Sequence, residues 1–200
     1  MKTIGLTGGI ASGKSVVSQC MSELGAYVIY ADKVGHEVYN PGTSAFHLIV
    51  DYFGSDIVSV DGTIDRRKLG GIVFNDKEAL DALNRITHPR MYDKIKADIG
   101  EIKKKGASPA IVLEAAILIE ANWFSLVDEV WVVITTVENA IERIMTRNGL
   151  SENEARARIA SQLSSEERTR YGDVVIHNDG TIDDLRCHIN ELWKRKLSSK

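Results

Sequence analysis

Residues 8–15 combine glycines with one lysine and one serine at a spacing suited to holding phosphate groups, and they match the pattern GxxxxGK[ST]. Glycines in such a loop permit backbone angles that direct successive N–H groups toward one anion. The amine of Lys14 can reach the β- and γ-phosphates, and the Ser15 hydroxyl can ligate a magnesium ion that retains several waters. The motif therefore predicts a nucleoside triphosphate held with Mg²⁺. We expect contacts to this ligand from Gly8, Gly9, Ile10, Ala11, Ser12, Gly13, Lys14, Ser15 and Val16.

The residues on either side of this loop supply the strand and the helix that the motif requires. Residues 3–7 form an apolar run typical of a buried strand, and residues 15–21 continue at helical spacing. A plain glycine-rich turn before a helix is the alternative interpretation. The joint match of pattern and context favours the phosphate loop.

Four more short β-branched runs follow, and their apolar character is continuous rather than alternating, which is typical of strands covered on both faces. They lie at residues 27–30, 110–113, 130–134 and 174–176. Helical patterns separate them, such as the one that begins behind Thr136 and stops at Gly149. These patterns predict a doubly wound α/β core with a five-stranded parallel sheet.

Two stretches carry helical patterns without a comparable strand. Residues 31–105, with breaks at 41–42 and 61–62, predict a helical insertion that overhangs the carboxyl edge of the sheet, where ligands of open α/β sheets bind. The second stretch covers residues 151–171. In it, the pairs Ser151 with Glu154 and Ser164 with Glu167 predict capping boxes that start two short helices.

Asp32 is the candidate general base. It follows the second predicted strand, so we expect its carboxylate at the carboxyl edge of the sheet near the γ-phosphate. An aspartate at this place can orient an acceptor hydroxyl and accept its proton late in a loose transition state. The alternative is that Asp32 only caps the next helix.

Arginines are frequent toward the second helical stretch: Arg143, Arg147, Arg156, Arg158, Arg168 and Arg170. Arg143 and Arg147 lie one helical turn apart and can point at one target. Because arginines on a closing lid neutralise charge on a transferring phosphoryl group, we predict catalytic roles for these two. For the later arginines we expect ion pairs with neighbours such as Glu152, Glu154 and Glu166.

Two glutamates and one histidine complete the polar candidates. Glu114 ends the third predicted strand and Glu120 lies six residues beyond it, so either can support magnesium through water. His88 precedes Pro89 inside a helical interval, where a packed or capping role is expected. The histidines and cysteines do not match the ligand spacing of a zinc site.

The composition restricts the kinds of partner that the protein is expected to bind. With 28 acidic and 25 basic residues the net charge is −3, so no broad basic field is available to bind nucleic acid. The two cysteines, Cys20 and Cys187, match no redox or metal spacing and are expected to be reduced. We find neither a signal peptide nor an apolar stretch long enough to span a bilayer. We therefore expect a cytoplasmic, soluble protein without membrane partners.

Segments along nearly the whole chain resemble the dephospho-coenzyme A kinases. They are IGLTGGIASGKS at 4–15, Ala31–Asp32, Pro41–Gly42, DGTIDRRKLGGIVFND at 61–76, LNRITHP at 83–89 and ILIE at 117–120, with Arg143, Arg147, Gln162, Asp173 and Asn178. Many kinases share the phosphate loop. The middle segments discriminate, because IDRRKL followed by VF and a later HP is typical of this family alone.

The resemblance implies a P-loop NTPase fold of three layers and an ATP-dependent transfer to the ribose 3′-hydroxyl of dephospho-coenzyme A, giving coenzyme A and ADP. It implies a nucleotide-binding core of residues 1–35, 107–136 and 171–200. It also implies a helical acceptor domain of residues 36–106 and a lid of residues 137–170. We expect Mg²⁺ with ATP as the donor, and a monomer.

The resemblance also implies roles for single residues. It makes Asp32 the general base, places Asn178 near the nucleotide's base and places Arg66, His88 and Glu120 at the acceptor. This chain departs from the family in three places, of which Gly172, where the family usually has alanine before Asp173, is a minor one. Tyr30 stands where the family commonly has a first aspartate, and Ala116 stands where the family has a proline.

Two other functions fit parts of the sequence. A kinase for a nucleoside monophosphate or another small alcohol would share the loop, but the insertion of residues 36–106 exceeds what a very small acceptor needs. A GTP-dependent switch would explain the DxxG string at residues 51–54. The chain contains no Asn-Lys-x-Asp element for reading guanine, which argues against a switch.

Overall fold

Five parallel strands form one sheet in the order β2-β3-β1-β4-β5. The structure, a computed structural model, describes residues 1–197. The strands are β1 (Lys2–Gly8), β2 (Tyr27–Tyr30), β3 (Ala110–Glu114), β4 (Glu129–Ile134) and β5 (Val174–His177). Every predicted strand is present and matches its predicted range to within one residue at either end. The predicted α/β fold with a five-stranded parallel sheet is therefore confirmed.

Helices connect the strands, and the chain divides into two compact units. The helices of the described chain are α1 (Lys14–Glu23), α2 (Ala31–Glu37), α3 (Ser44–Phe53), α4 (Arg66–Val73), α5 (Lys77–Lys105), α6 (Val137–Asn148), α7 (Glu152–Ala160), α8 (Ser165–Thr169) and α9 (Ile182–Leu197), with 3₁₀ turns at Ser55–Ile57 and Trp123–Leu126. The first unit comprises Met1–Tyr30 and the described residues from Ile99 onward, and the second comprises Ala31–Asp98. Within residues 1–197, no helix combines the length and apolar composition that crossing a membrane needs.

The sheet of the first unit buries apolar side chains on both faces. On one face, β1 and β4 contribute alternate residues to a cluster shared with α1 and α9. Its members include Ile4, Leu6, Trp131, Val133, Val17, Met21, Leu185 and Ile189. On the other face of the sheet, Ile111 and Leu113 of β3 and Val132 of β4 are also fully buried. Burial on both faces explains why the strands are continuously apolar in sequence.

Two aspartates, each one residue before a strand, align neighbouring strands of this sheet. The Asp128 N–H donates to the Thr3 carbonyl at 2.8 Å, and Asp128 Oδ2 accepts from the Thr3 N–H at 2.7 Å. Asp173 makes the same pair of bonds with Val130, at 2.8 and 2.7 Å. Each aspartate thus satisfies two backbone groups of the neighbouring strand where the regular ladder begins.

The helix starts of the first unit follow the predicted signals. Ser151 and Ser164 each form a complete capping box with Glu154 and Glu167, as predicted. Thr136 caps α6 by accepting a hydrogen bond from the Asn139 N–H at 3.3 Å. These caps satisfy N–H groups that have no partner within their own helices.

The second unit is helical and has its own core. Thr43 caps α3 by accepting from the Phe46 N–H at 3.1 Å, and Asp65 caps α4 by accepting from the Arg67 N–H at 2.9 Å. Its buried cluster comprises Ile49, Ile57, Ile64, Leu69, Val73 and Ala79. α5 continues through Pro89. The assignment of acceptor binding to this part of the chain stays a prediction.

The aspartate before β5 gives a prediction about stability. Asp173→Ala should lower the free energy of unfolding by about 1–3 kcal/mol, because the N–H of a buried residue loses its acceptor. That residue is Val130, which is 5% exposed. Urea denaturation of both proteins measures the difference. Asp93→Ala, at an exposed position of α5, is the control and should change the value by less than about 0.5 kcal/mol. Equal stability of Asp173→Ala and wild type would contradict the role given to Asp173.

Candidate active site

The phosphate loop joins β1 to α1 and contains left-handed backbone at two positions. Gly13, the residue before α1, has φ +97°, and Ala11 has φ +57°. A Cβ at Gly13 would lie 2.1 Å from Nδ2 of Asn178, so this position requires glycine for space as well as for backbone angle. Ala11 adopts a conformation that costs an ordinary residue about 1–2 kcal/mol. The surrounding structure must therefore hold the loop in place.

Side chains from distant parts of the chain bind the carbonyl groups of this loop. Asn178, which is 7% exposed, donates through Nδ2 to the Ser12 carbonyl at 2.8 Å. Arg143 donates through Nη1 to the Ala11 carbonyl at 3.2 Å and through Nη2 to the Asn178 carbonyl at 2.9 Å. Because a trans peptide directs its carbonyl and N–H to opposite sides, the bond to Ser12 turns the Gly13 N–H away from Asn178.

Lys14 also contacts the loop. Its Nζ donates to the Gly8 carbonyl at 2.8 Å and to the Gly9 carbonyl at 3.4 Å. These two bonds hold the ammonium group beside the backbone that a triphosphate would approach. Lys14 is therefore placed to neutralise phosphate charge, as the motif predicts.

Ser15 and Glu114 present oxygen atoms suited to a hard cation. The Ser15 hydroxyl donates to Glu114 Oε1 at 3.3 Å. The other carboxylate oxygen, Glu114 Oε2, is buried and has no hydrogen-bond partner among the described residues. An unsatisfied carboxylate oxygen beside a serine hydroxyl fits the oxygen ligands that Mg²⁺ takes. Glu114 is thus the better fit to a magnesium site than Glu120.

The loop forms one wall of a cavity of about 670 Å³. Its lining includes Gly9, Ala11–Val16, Arg143, Arg147, Asn178 and Gly180. The exposed side chain of Arg147 donates to Asn148 Oδ1 at 3.2 Å. The structure therefore brings both predicted arginines and the predicted nucleotide residues other than Gly8 and Ile10 to a single cavity.

Asp179 ties two walls of this cavity together. Its Oδ1 accepts from the Thr136 N–H at 2.8 Å and the Thr135 hydroxyl at 2.9 Å. The hydrogen bond from the Thr136 N–H is the main cause that lowers the pKa of the Asp179 carboxyl. These hydrogen bonds connect the segment after β5 to the start of α6.

The helices after α6 contact the phosphate loop through Gln162. Its Oε1 accepts from the Ile10 N–H at 2.8 Å. Ile10 also packs against the cluster of Ile141, Ile144 and Ala155, together with Ile159. Sequence reasoning gave Gln162 no role, although the resemblance included it. Only the structure brings it to the loop.

Glu120 pairs with an arginine that sequence reasoning did not single out. Arg168 is 2% exposed, and its Nη2 lies 2.6 Å from Glu120 Oε1. Arg168 also donates to the Leu163 carbonyl at 3.2 Å. Glu120 itself is exposed, so the pair joins a buried guanidinium to a carboxylate at the surface. The predicted acceptor contact of Glu120 stays a prediction. The ion pairs expected of Arg156 with Glu152 and of Arg170 with Glu166 are present, at 2.7 and 3.0 Å.

Three predicted site residues belong to the second unit. Asp32 is exposed in the first turn of α2, two residues after the end of β2. Arg66 is the first residue of α4 and lines a cavity of that unit. His88 lies within α5, and burial lowers the pKa of its imidazole. Their predicted roles toward the acceptor stay predictions.

Comparison with known proteins identifies one family along the chain. The family model described as dephospho-CoA kinase matches residues 2–184. The chain is similar to the dephospho-CoA kinase of Geobacter sulfurreducens, with 47% identity over 197 residues that cover 98% of this chain and 100% of that protein. The relative from Carboxydothermus hydrogenoformans is 46% identical over 200 residues, covering 98% and 97% of the two chains. The solved dephospho-CoA kinase from Campylobacter jejuni is 29% identical with a TM-score of 0.74, covering 98% and 97%.

The bond from Asn178 to the loop gives a prediction about nucleotide affinity. Asn178→Ala leaves the Ser12 carbonyl without its donor, so the loop must be ordered by the ligand. We expect the Kd for ATP to rise about tenfold, the equivalent of one hydrogen bond at about 1.4 kcal/mol. Titration calorimetry measures this Kd.

Asn190→Ala is the matched control. Its Nδ2 donates to the Arg186 carbonyl at 2.9 Å on the exposed surface of α9, away from the loop. This variant should bind ATP as the wild type does. If Asn178→Ala lowered the thermal midpoint while its Kd for ATP stayed at the wild-type value, the role of Asn178 would be structural only.

Proposed function

This chain belongs to the dephospho-CoA kinase family, and we propose that its phosphate loop binds the phosphoryl donor while Asp32 acts on the acceptor. The protein is a kinase that catalyses the ATP-dependent phosphorylation of the ribose 3′-hydroxyl of dephospho-CoA in coenzyme A biosynthesis. The observation that carries the proposal is the cavity lined by the phosphate loop, both predicted arginines and Asn178. Family membership decides against a GTP switch and against a kinase for another small alcohol.

The donor half lies in the first unit. ATP binds with its β- and γ-phosphates on the loop, and Lys14 exchanges its bonds to the loop carbonyls for bonds to phosphate oxygens. Arg143 keeps the loop open through its bonds to Ala11 and Asn178. Arg147, exposed on the same cavity, neutralises charge that develops on the transferring group.

Ser15 and Glu114 would hold Mg²⁺ on the donor side, Ser15 through its hydroxyl and Glu114 directly or through water. When bound, the ion would neutralise charge on the phosphate groups. In this proposal Glu114 supplies the carboxylate that an aspartate at position 30 would supply in the family. β-Sheet register supports the assignment, because Tyr30 of β2 is the direct partner of Glu114 of β3.

The acceptor half uses Asp32. Its carboxylate accepts a hydrogen bond from the 3′-hydroxyl and orients the oxygen toward the γ-phosphorus. The bond from that phosphorus to the β-bridging oxygen breaks as the bond to the 3′-oxygen forms, and the hydroxyl proton passes to Asp32. ADP leaves with the bridging oxygen. The exposure of Asp32 at the start of α2 supports this role, because the carboxylate is accessible to a substrate.

The same proposal extends to the setting of the enzyme. We expect it to act in the cytoplasm, which fits the two unpaired cysteines. We also expect a monomer, as the resemblance implies. Cys20 is buried and Cys187 is exposed, and neither is in a disulfide within the described chain.

Replacement of the proposed base gives the first kinetic prediction. Asp32→Asn should lower kcat by about 10²- to 10⁴-fold, because the amide cannot accept the hydroxyl proton. The Kd for ATP should stay at the wild-type value. Acceptor-dependent ADP formation and calorimetry measure the two quantities. Asp51→Asn, an exposed aspartate of α3, is the control. Loss of ATP affinity in Asp32→Asn with unchanged kcat would refute the role.

The magnesium proposal gives a second prediction, read from binding. Glu114→Gln should remove most of the increase in ATP affinity that Mg²⁺ gives the wild type, about tenfold for one lost charged ligand. Affinity for ATP without Mg²⁺ should be equal or slightly higher, since a negative charge near phosphate is gone.

Calorimetric titration of ATP with and without Mg²⁺ measures both values. Glu142→Gln is the control, because Glu142 lines the same cavity but has no hydrogen bond to Ser15. If the Mg²⁺-dependent increment were the same in Glu114→Gln and wild type, Glu114 would have no part in holding the ion.

A further inference from the structure

Gln162 lies in the connection between α7 and α8, and its side chain contacts the first residues of the phosphate loop. Its Oε1 accepts a hydrogen bond from the Ile10 N–H at 2.8 Å. A Cβ added to Gly9, which lines the cavity beside the loop, would lie 3.7 Å from the same oxygen. The carboxamide of Gln162 therefore lies next to a residue of the cavity wall.

This part of the loop is the end that faces the γ-phosphate. The lysine of such a loop reaches the β- and γ-phosphates. Lys14 Nζ donates to the carbonyl groups of Gly8 and Gly9, at 2.8 and 3.4 Å. The peptide group between Gly9 and Ile10 is thus bonded at its carbonyl by Lys14 and at its N–H by Gln162. Since the lysine binds the terminal phosphate, this peptide group marks the γ-phosphate end of the loop.

The Gln162 carboxamide has donors that the protein does not use. Among residues 1–197, the hydrogen bond to Ile10 is the only one that this side chain makes. Because the oxygen is the atom that accepts from an N–H, the other polar atom of the group is Nε2, which has two N–H donors. The side chain is exposed, so both donors are accessible to a ligand. They suit the oxygen atoms of a phosphate.

Backbone contacts keep Gln162 in this position. Its own N–H donates to the Ile159 carbonyl at 3.2 Å, and Ile159 and Ile10 pack against the same apolar cluster. On the other side of Gln162, the buried Arg168 donates to the Leu163 carbonyl at 3.2 Å. The carboxamide is therefore held beside the loop, and little conformational freedom is lost when it binds a ligand there.

We propose that Gln162 binds the γ-phosphate of the donor, with Oε1 bonded to the Ile10 N–H and Nε2 donating to a terminal phosphate oxygen. The proposal rests on the proposed function in one respect, since it takes ATP to lie on the phosphate loop. ADP has no γ-phosphate, so the Nε2 bond forms with ATP alone. Gln162 thus strengthens the binding of ATP relative to ADP, and the contact is lost when the γ-phosphoryl group passes to the acceptor.

Gln162→Glu tests the Nε2 bond by itself. A carboxylate keeps an acceptor for the Ile10 N–H, but it replaces the donor with a negative charge. The Kd for ATP should rise about ten- to a hundredfold, because a hydrogen bond to a charged group is lost and repulsion is added. The Kd for ADP should change by less than about threefold, since its terminal phosphate is farther from the carboxylate. Calorimetric titration of each nucleotide, without acceptor and at constant free Mg²⁺, measures these constants.

Asn153→Asp is the matched control. It also converts an amide into a carboxylate, at an exposed position of α7 that does not line the cavity. Both Kd values of this variant should equal those of the wild type. Gln162→Ala removes the donor and the acceptor together, so it should raise the Kd for ATP more than the Kd for ADP. Thermal midpoints of all variants show whether they fold.

Two outcomes would overturn the proposal. One is an unchanged Kd for ATP in Gln162→Glu. The other is a rise of equal factor in the Kd values for ATP and ADP, which would give Gln162 a role in holding the loop but none toward the γ-phosphate. Failure of the proposed function is a different result, namely no ADP formation that depends on dephospho-CoA in the wild type. The titrations would still decide the role of Gln162 in that case, because they contain no acceptor.

Discussion

The phosphate loop has a backbone conformation that would not be stable by itself. Side chains from the rest of the first unit are arranged to stabilise it. Lys14, Arg143 and Asn178 each donate to carbonyl oxygens of the loop. Since each peptide directs its N–H opposite to its carbonyl, these donors also set the directions of N–H groups. These side chains therefore hold the loop in an arrangement suited to an anion, and a loop held in this way costs less to order on binding.

The side chains that donate to the loop are themselves kept in place by hydrogen bonds and by an ion pair. Asp179 joins the segment after β5 to the start of α6, so Asn178 and Arg143 keep a fixed relation. The ion pair of the buried Arg168 with the exposed Glu120 connects the helices after α6 to the segment that follows β3. Gln162 reaches the loop from those helices. Direct contacts thus connect these helices to the phosphate loop.

Acidic groups around the proposed site are distributed differently from the family pattern. Tyr30 replaces one aspartate, while Glu114 stands beside it on the neighbouring strand with one carboxylate oxygen unsatisfied. Neighbouring parallel strands end at the same edge of the sheet, so an acidic side chain at the end of either strand lies at that edge. The proposed magnesium role of Glu114 follows from this register. In the proposal, Asp32 in the first turn of α2 carries the acceptor chemistry without an aspartate at position 30.

Local patterns in the sequence determined the five strands, the capping boxes and the phosphate loop, because each depends on residues only a few positions apart. Asn178 and Glu114 were candidates from sequence, but their pairings with Ser12 and Ser15 were not predicted. Asn178 bonds a residue 166 positions away, and Arg168 finds Glu120 48 positions away. Such pairs follow from strand order and helix packing, which bring distant segments together. These long-range contacts produce no periodic pattern in the sequence. The sequence alone determined which residues can hold a triphosphate. Only the tertiary structure decided which side chains keep them in place, because that depends on long-range contacts.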